Sequence, residues 1–235
     1  MNITKQGAVT IRMFHLRTTN YTDEVIAEPT ADLYVAGDEQ LLDRMRVIVP
    51  DIPVLMYRLL NMTRPIERMI KDYDYTLQWA AHDANGRVMY DKDNPPGKGS
   101  YTIMNCTNVD WQNHVAKQTA DILRHYGWDG VFLDNAYAYC YPNRWVVMND
   151  EGQIIPAAIP TDFVNNYRYG IESMLRKLQA MVSPSRNKYD LPIVANVSRV
   201  EWSLIECQYV SFLMNEAYMQ TREDKTQYGE VFATF

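Results

Sequence analysis

Short apolar runs that stop at a polar residue recur along this chain, separated by longer stretches of helical period. The runs are Thr10–Thr18 (TIRMFHLRT), Ala31–Gly37 (ADLYVAG), Val54–Arg58 (VLMYR), Gly130–Asp134 (GVFLD), Leu191–Val197 (LPIVANV) and Tyr209–Glu216 (YVSFLMNE). A continuous apolar run ending in a polar residue predicts a parallel strand, buried on both faces, at the point where it emerges from the core. Between the runs, Asp38 heads a stretch with Leu41, Leu42, Met45 and Ile48 on one face. Asn108 or Asp110 heads a second, with Val115, Ala116, Thr119, Ile122, Leu123 and Tyr126 on its inner side and Gly127 as its stop. A third, from about Asp162 to Val182, repeats Val164, Tyr167, Ile171, Met174, Leu178 and Met181 and closes at Ser183-Pro184. Side-chain caps, helical spacing and a terminal glycine or proline predict three helices, with a short fourth around Val200 to Cys207.

Strands alternating with helices at this spacing predict a parallel α/β sheet with right-handed crossovers. Two regions depart from the alternation. Asn61 to Asn108 holds an Asn85-Gly86 hairpin turn, a Pro95-Pro96-Gly97 loop and a short extended piece at Tyr101 to Cys106; Trp145 to Ile155 turns at Asp150-Glu151-Gly152. Both read as hairpin insertions decorating the sheet. The expected fold is therefore α/β, a (β/α)8 TIM-barrel type with hairpin insertions, forming a single domain over residues 1–235. The stretch after Glu216 predicts no element and is too short for two further strand–helix units. The barrel is expected to be incomplete at its C-terminus, or closed by something else.

Composition narrows the class of ligand. A net charge of −6 and a pI near 5.2 argue against a nucleic-acid partner, which favours a basic face. The 17 Tyr and 5 Trp suit stacking on sugar rings as well as core packing. Cys106, Cys140 and Cys207 lack metal-site spacing and predict no disulfide framework, leaving at most one bridge open; His15, His114 and His125 are equally scattered. No apolar stretch reaches the length of a membrane span. The opening Met-Asn-Ile-Thr-Lys-Gln-Gly has no signal-peptide character, which fits either a protein not exported by that route or a start further upstream. No phosphate-binding glycine loop and no Gly-x-Ser-x-Gly elbow occur, and no cofactor is expected.

The candidate chemistry lies in two acids. Asp134 closes the fourth predicted strand and Glu216 the sixth, so in a barrel both reach the C-terminal rim, where active sites are built. Acids commonly follow strands because the chain meets solvent there, but these two are each adjacent to an asparagine, Asn135 and Asn215. Glycoside hydrolysis uses such a carboxyl pair, and amides supply both donor and acceptor to sugar hydroxyls. Tyr57 and Arg58 end the third strand, as candidates to orient a substrate hydroxyl or a carboxylate, and Asn196 ends the fifth, as a candidate for sugar contact. Trp79, Tyr137 and Tyr139 are candidate stacking platforms. His82-Asp83, beside a hairpin turn, is not expected to act as a dyad because adjacent strand residues point to opposite faces.

The stretch MNCTNVDWQNHVAKQTADILRHYGWDGVFLDN (Met104–Asn135) resembles the hypothetical glycosyl hydrolase family 15 and, more distantly, the endo-α-1,4-polygalactosaminidases of glycoside hydrolase family 114. The progression Tyr57-Arg58, Trp79, Asn105 to Asn108, Gly127 to Asn135, Leu191 to Asn196 and Met214-Asn215-Glu216 is similar to theirs. The resemblance implies a barrel that cleaves an O-glycosidic bond of a poly- or oligosaccharide without a cofactor. It implies Asp134 as nucleophile or base, Glu216 as acid/base, and Asn105 among the residues of the substrate site. An acid on strand four paired with one on strand six also resembles the α-galactosidase-like barrels. The alternative is a carbohydrate-binding barrel without catalysis, a module of a larger surface or phage-tail assembly.

Overall fold

Six of the apolar runs become neighbouring strands of one sheet. The structure, a computed structural model, describes residues 13–16, 22–27, 33–64, 77–184, 190–197, 208–215 and 230–233. Strands β1 (Met13–Leu16), β2 (Leu33–Ala36) and β3 (Val54–Leu59) lie side by side; β7 (Val131–Asp134), β10 (Ile193–Asn196) and β11 (Phe212–Asn215) continue the sheet in that order, all parallel. β2, β3, β7 and β10 are buried along their whole length, as strands covered on both faces must be. The chain is thus a mixed α/β fold organised on a parallel sheet.

The edge beyond β11 differs from expectation. Glu230–Ala233, where no element was predicted, forms β12 and pairs antiparallel with β11. No pairing between β1 and β12 occurs among the described residues. The short helix expected at Val200 to Cys207 lies outside the described residues.

The helices form where caps and period place them. Helix α1 (Asp23–Ala27) is short. Helix α2 (Glu39–Ile48) starts at Asp38, whose side chain accepts from Leu41 N at 2.8 Å; burial raises the Asp38 pKa against the pull of that bond. Helix α3 (Val109–Tyr126) is capped by Asn108, not Asp110: the Asn108 amide oxygen accepts from Asp110 N and Trp111 N. Gly127, at φ 71°, ends it in the left-handed conformation that glycine adopts without steric cost. Helix α4 (Thr161–Val182) buries Tyr167, Ile171, Met174 and Leu178 as expected. Val164 and Met181 are instead 36% and 41% exposed. The contact stripe drifts around a helix this long, so Leu175 and Val182 take the inner positions.

The turn between α3 and β7 is a joint. Asp129 accepts from Val54 N at 2.7 Å and pairs with Arg46 of α2 at 2.8 Å; Arg46 also donates to Gly127 O. At Gly130, φ is 155°, and a Cβ would stand 2.4 Å from the Pro192 carbonyl oxygen. Only a residue without a side chain lets β7 enter between β3 and β10 there.

The two insertions are one structure. β4 (Met62–Thr63), β5 (Tyr90–Asp91) and β6 (Thr102–Ile103) follow β3, while β8 (Trp145–Met148) and β9 (Ile154–Pro156) follow β7. They join in an antiparallel five-stranded sheet, order β4-β6-β5-β8-β9, through Tyr90↔Val146 and Asp91↔Trp145. Expected as separate decorations, they unite because each supplies edge groups that the other satisfies. Arg144, salt-bridged to Asp91 and Asp93, adds a charged tie across the junction. Both insertions leave the C-terminal ends of their strands, so the second sheet flanks the end of β7.

Candidate active site

Asp134 is the last residue of β7 and is 7% exposed. The parallel register sets Tyr57 of β3 beside Phe132 and Leu59 beside Asp134. Side chains alternate along a strand, so Tyr57, Phe132 and Asp134 share one face. The Tyr57 ring stacks on Phe132 at 6.1 Å, and its hydroxyl donates to Asp134 Oδ2 at 2.5 Å. On the other flank, Asn196 ends β10 and donates Nδ2–H to Asp134 Oδ1 at 3.0 Å.

The backbone completes the arrangement. Asn135 sits at φ 54°, a left-handed conformation that asparagine tolerates better than most residues. That turn brings Asn135 N to Asp134 Oδ1 at 2.9 Å. Leu60 N donates to Asp134 O, and Ala136 N to Asn196 O, tying the end of β7 to both neighbouring strands. The carboxyl group therefore meets three named donors on three elements. An ionised carboxylate is acceptor-only, so this set complements its charged form.

Tyr57 and Asn196 are both brought to this face and hydrogen-bond to the acid. Arg58 is not brought to this face. It points to the helix side of β3, buried, with Nη2 donating to Gln118 Oε1 of α3 at 2.9 Å. Trp79 packs against Trp111 and His114 of α3, at 5.9 and 4.8 Å between ring centroids. The Asn105 amide oxygen accepts from Thr107 N and Oγ1, shaping the turn before α3. Trp79 and Asn105 thus both lie beside the start of α3.

Asn135 presents its amide nitrogen 4.0 Å from Met62 Sδ, a weak contact. Tyr137 is buried, which pushes its phenol pKa up. Asn215 closes β11 opposite Glu230 of β12. Glu216 lies outside the described residues.

Sequence reasoning passed over Asn61. It is fully buried and donates to Tyr167 Oη of α4 at 2.5 Å. The signal was available: Asn61 follows the apolar Leu59-Leu60 directly, as Asn196 follows Val194-Ala195. Cys106 and Cys140 are both free and buried. Burial pushes the Cys140 thiol up to about 12 and the Cys106 thiol higher still, which makes both poor nucleophiles. No group of His, Cys, Asp and Glu suited to a metal ion occurs among the described residues. None of their helices is long and apolar enough to cross a membrane.

The profile of hypothetical glycosyl hydrolase family 15 matches residues 46–234. Among solved structures the chain is similar to a Paenibacillus sp. cycloisomaltooligosaccharide glucanotransferase complexed with cycloisomaltoheptaose, at 13% identity and TM-score 0.53, covering 83% of this chain and 31% of that one. It is similar to an α-galactosidase from Thermus thermophilus in complex with stachyose, at 12% identity and TM-score 0.51, covering 88% and 44%. It is also similar to the glycoside hydrolase domain of PelA from Pseudomonas aeruginosa, at 15% identity and TM-score 0.50, covering 88% and 66%. At these identities the likeness is one of fold, and the chain spans under two thirds of each of these proteins. No curated protein matches it in sequence.

Proposed function

Because the chain belongs to hypothetical glycosyl hydrolase family 15, we propose that it hydrolyses an O-glycosidic bond in a poly- or oligosaccharide. The parallel sheet is read as the wall of a (β/α)8-type barrel, with residues 1–235 as one domain. The observation that carries the reading is the Asp134 carboxylate, held at the end of the central strand β7 by donors from Tyr57, Asn196 and the Asn135 amide. Immobilising a reacting group before substrate arrives removes an ordering cost from the transition state.

In this reading Asp134 is the nucleophile or base and Glu216 the acid/base. In the retaining form, an Asp134 oxygen bonds to the anomeric carbon as the bond to the leaving oxygen breaks, and that oxygen takes the Glu216 proton. Glu216 then removes a proton from water, whose oxygen displaces Asp134. In the inverting form, Asp134 takes the proton from water while Glu216 protonates the leaving group. Carboxyl separations of about 5–5.5 Å and about 6.5–9.5 Å distinguish the two.

Replacing Asp134 with Asn tests the assignment. Release of new reducing ends is expected to fall by roughly 10²–10⁴-fold with an unchanged melting profile. Activity retained at the wild-type level rules out Asp134. Glycan binding by the wild-type chain with no turnover selects the carbohydrate-binding module instead.

A further inference from the structure

The loop leaving β7 carries Tyr137, Tyr139 and Tyr141 at alternate positions, directly after Asp134 and Asn135. Their exposures form a gradient. Tyr137 is 3% exposed. Tyr141 is half-buried and stands edge-on to both other rings, 4.9 Å from Tyr137 and 4.7 Å from Tyr139. Tyr139 is 48% exposed.

A lone exposed aromatic on a protein surface is ordinary. Tyr139 differs because its ring is braced. Edge-to-face contacts fix the ring planes of Tyr141 and Tyr139 relative to Tyr137. Tyr137 is itself buried and holds the inner end of the three rings. The ring contacts run from the buried Tyr137 to the half-exposed Tyr139, so the outer ring is ordered before any ligand arrives. A pre-ordered apolar face loses less conformational freedom on binding than a mobile one. It also lies on the loop that begins after the acid that would act on the sugar.

We infer that Tyr139 is the platform on which a pyranose ring of the glycan stacks, with Tyr141 and Tyr137 as positioning residues that hold it. The inference rests on the reading of this site as a glycan site, and it assigns the ligand face to Tyr139 and not to the buried Tyr137. A pyranose offers a flat face of C–H groups to an aromatic ring, and the phenol rim can still reach its hydroxyls.

The test is calorimetric titration of the full chain carrying Asp134→Asn, which blocks turnover, with maltoheptaose, chitohexaose and a β-1,4-galactooligosaccharide. At least one is expected to bind, and Tyr139→Ala is expected to weaken that binding about tenfold. Tyr139→Phe and Tyr139→Trp are expected to stay within about threefold, because they keep the ring face. Unchanged affinity in Tyr139→Ala, equal loss in Tyr139→Phe, or no binding of any of the three overturns the inference. Measurements with Asp134 intact separate this outcome from the hydrolase reading. Tyr139-dependent binding without cleavage defeats the hydrolase alone, whereas cleavage with an unchanged KM in Tyr139→Ala defeats the platform alone.

Discussion

Tyr57 and Asp134 stand on adjacent parallel strands, and the phenol of one donates to the carboxylate of the other at 2.5 Å. The same Tyr57 ring stacks on Phe132, one side-chain position behind the acid on β7. The tyrosine is therefore fixed by packing at its base and uses its tip to orient the carboxylate.

Tyr57→Phe keeps the ring contact and removes the donor. A hydrogen bond to a charged group contributes about 1.5–3 kcal/mol, so kcat is expected to fall roughly 10–100-fold with KM little changed. Steady-state kinetics on a cleaved oligosaccharide measure this. A variant with wild-type kcat would remove Tyr57 from the machinery.

Asn196→Asp puts a second carboxyl where an amide now donates to Asp134 at 3.0 Å. Two carboxyls sharing a site cannot both ionise without a large penalty. The variant is expected to melt progressively lower than the wild type as pH rises from about 4 to about 8. A melting difference that is flat across this range contradicts the geometry.

Asp83 makes a pH-dependent contribution in the segment between β4 and β5. Burial alone would raise its pKa, but the Arg87 side chain and the amides of Arg87 and Asn85 outweigh burial and hold it at about 2, below the usual 3.8. A carboxyl whose folded pKa is depressed stabilises the fold fully above its unfolded pKa and loses that contribution as pH falls through the folded one. The stability gap between wild type and Asp83→Asn is expected to be constant above about pH 5 and to shrink between about pH 4 and pH 2. Urea titrations across this window measure it, and a gap that widens on acidification refutes the assignment.

Gly130 and Gly152 separate two costs of adding a methyl group. Both have positive φ, but a Cβ at Gly130 meets the Pro192 carbonyl at 2.4 Å whereas one at Gly152 meets nothing within 4 Å. Gly152→Ala is expected to cost about 1–2 kcal/mol from backbone conformation alone. Gly130→Ala is expected to cost about 3 kcal/mol or more, because overpacking adds to it. Equal losses in urea unfolding would show that the β7 entrance yields more easily than its packing implies.

Much of this architecture is local in origin and therefore legible in the chain. The runs ending at Asp134 and Asn196 are strands because apolar residues with few polar interruptions must be covered on both faces. Asp38, Asn108 and Gly127 bound helices through bonds and angles that involve only their near neighbours. The position of Asp134 at a strand end follows from the same pattern.

What the pattern could not supply is the phase of each strand and the partners across the chain. Val54–Leu59 is apolar on both faces, so nothing local says whether Tyr57 or Arg58 turns toward the acid. The register with β7 turns Tyr57 to Asp134 and Arg58 to Gln118 on α3. Nor does either insertion contain a reason to pair with the other, or 230–233 a reason to be a strand; edge hydrogen bonds with distant residues decide both. Sequence determined where Asp134 sits on its strand, because burial and capping act between near neighbours. Tertiary structure alone determined which groups hold its carboxylate, because Tyr57 and Asn196 meet it only through strand pairing across long sequence separations.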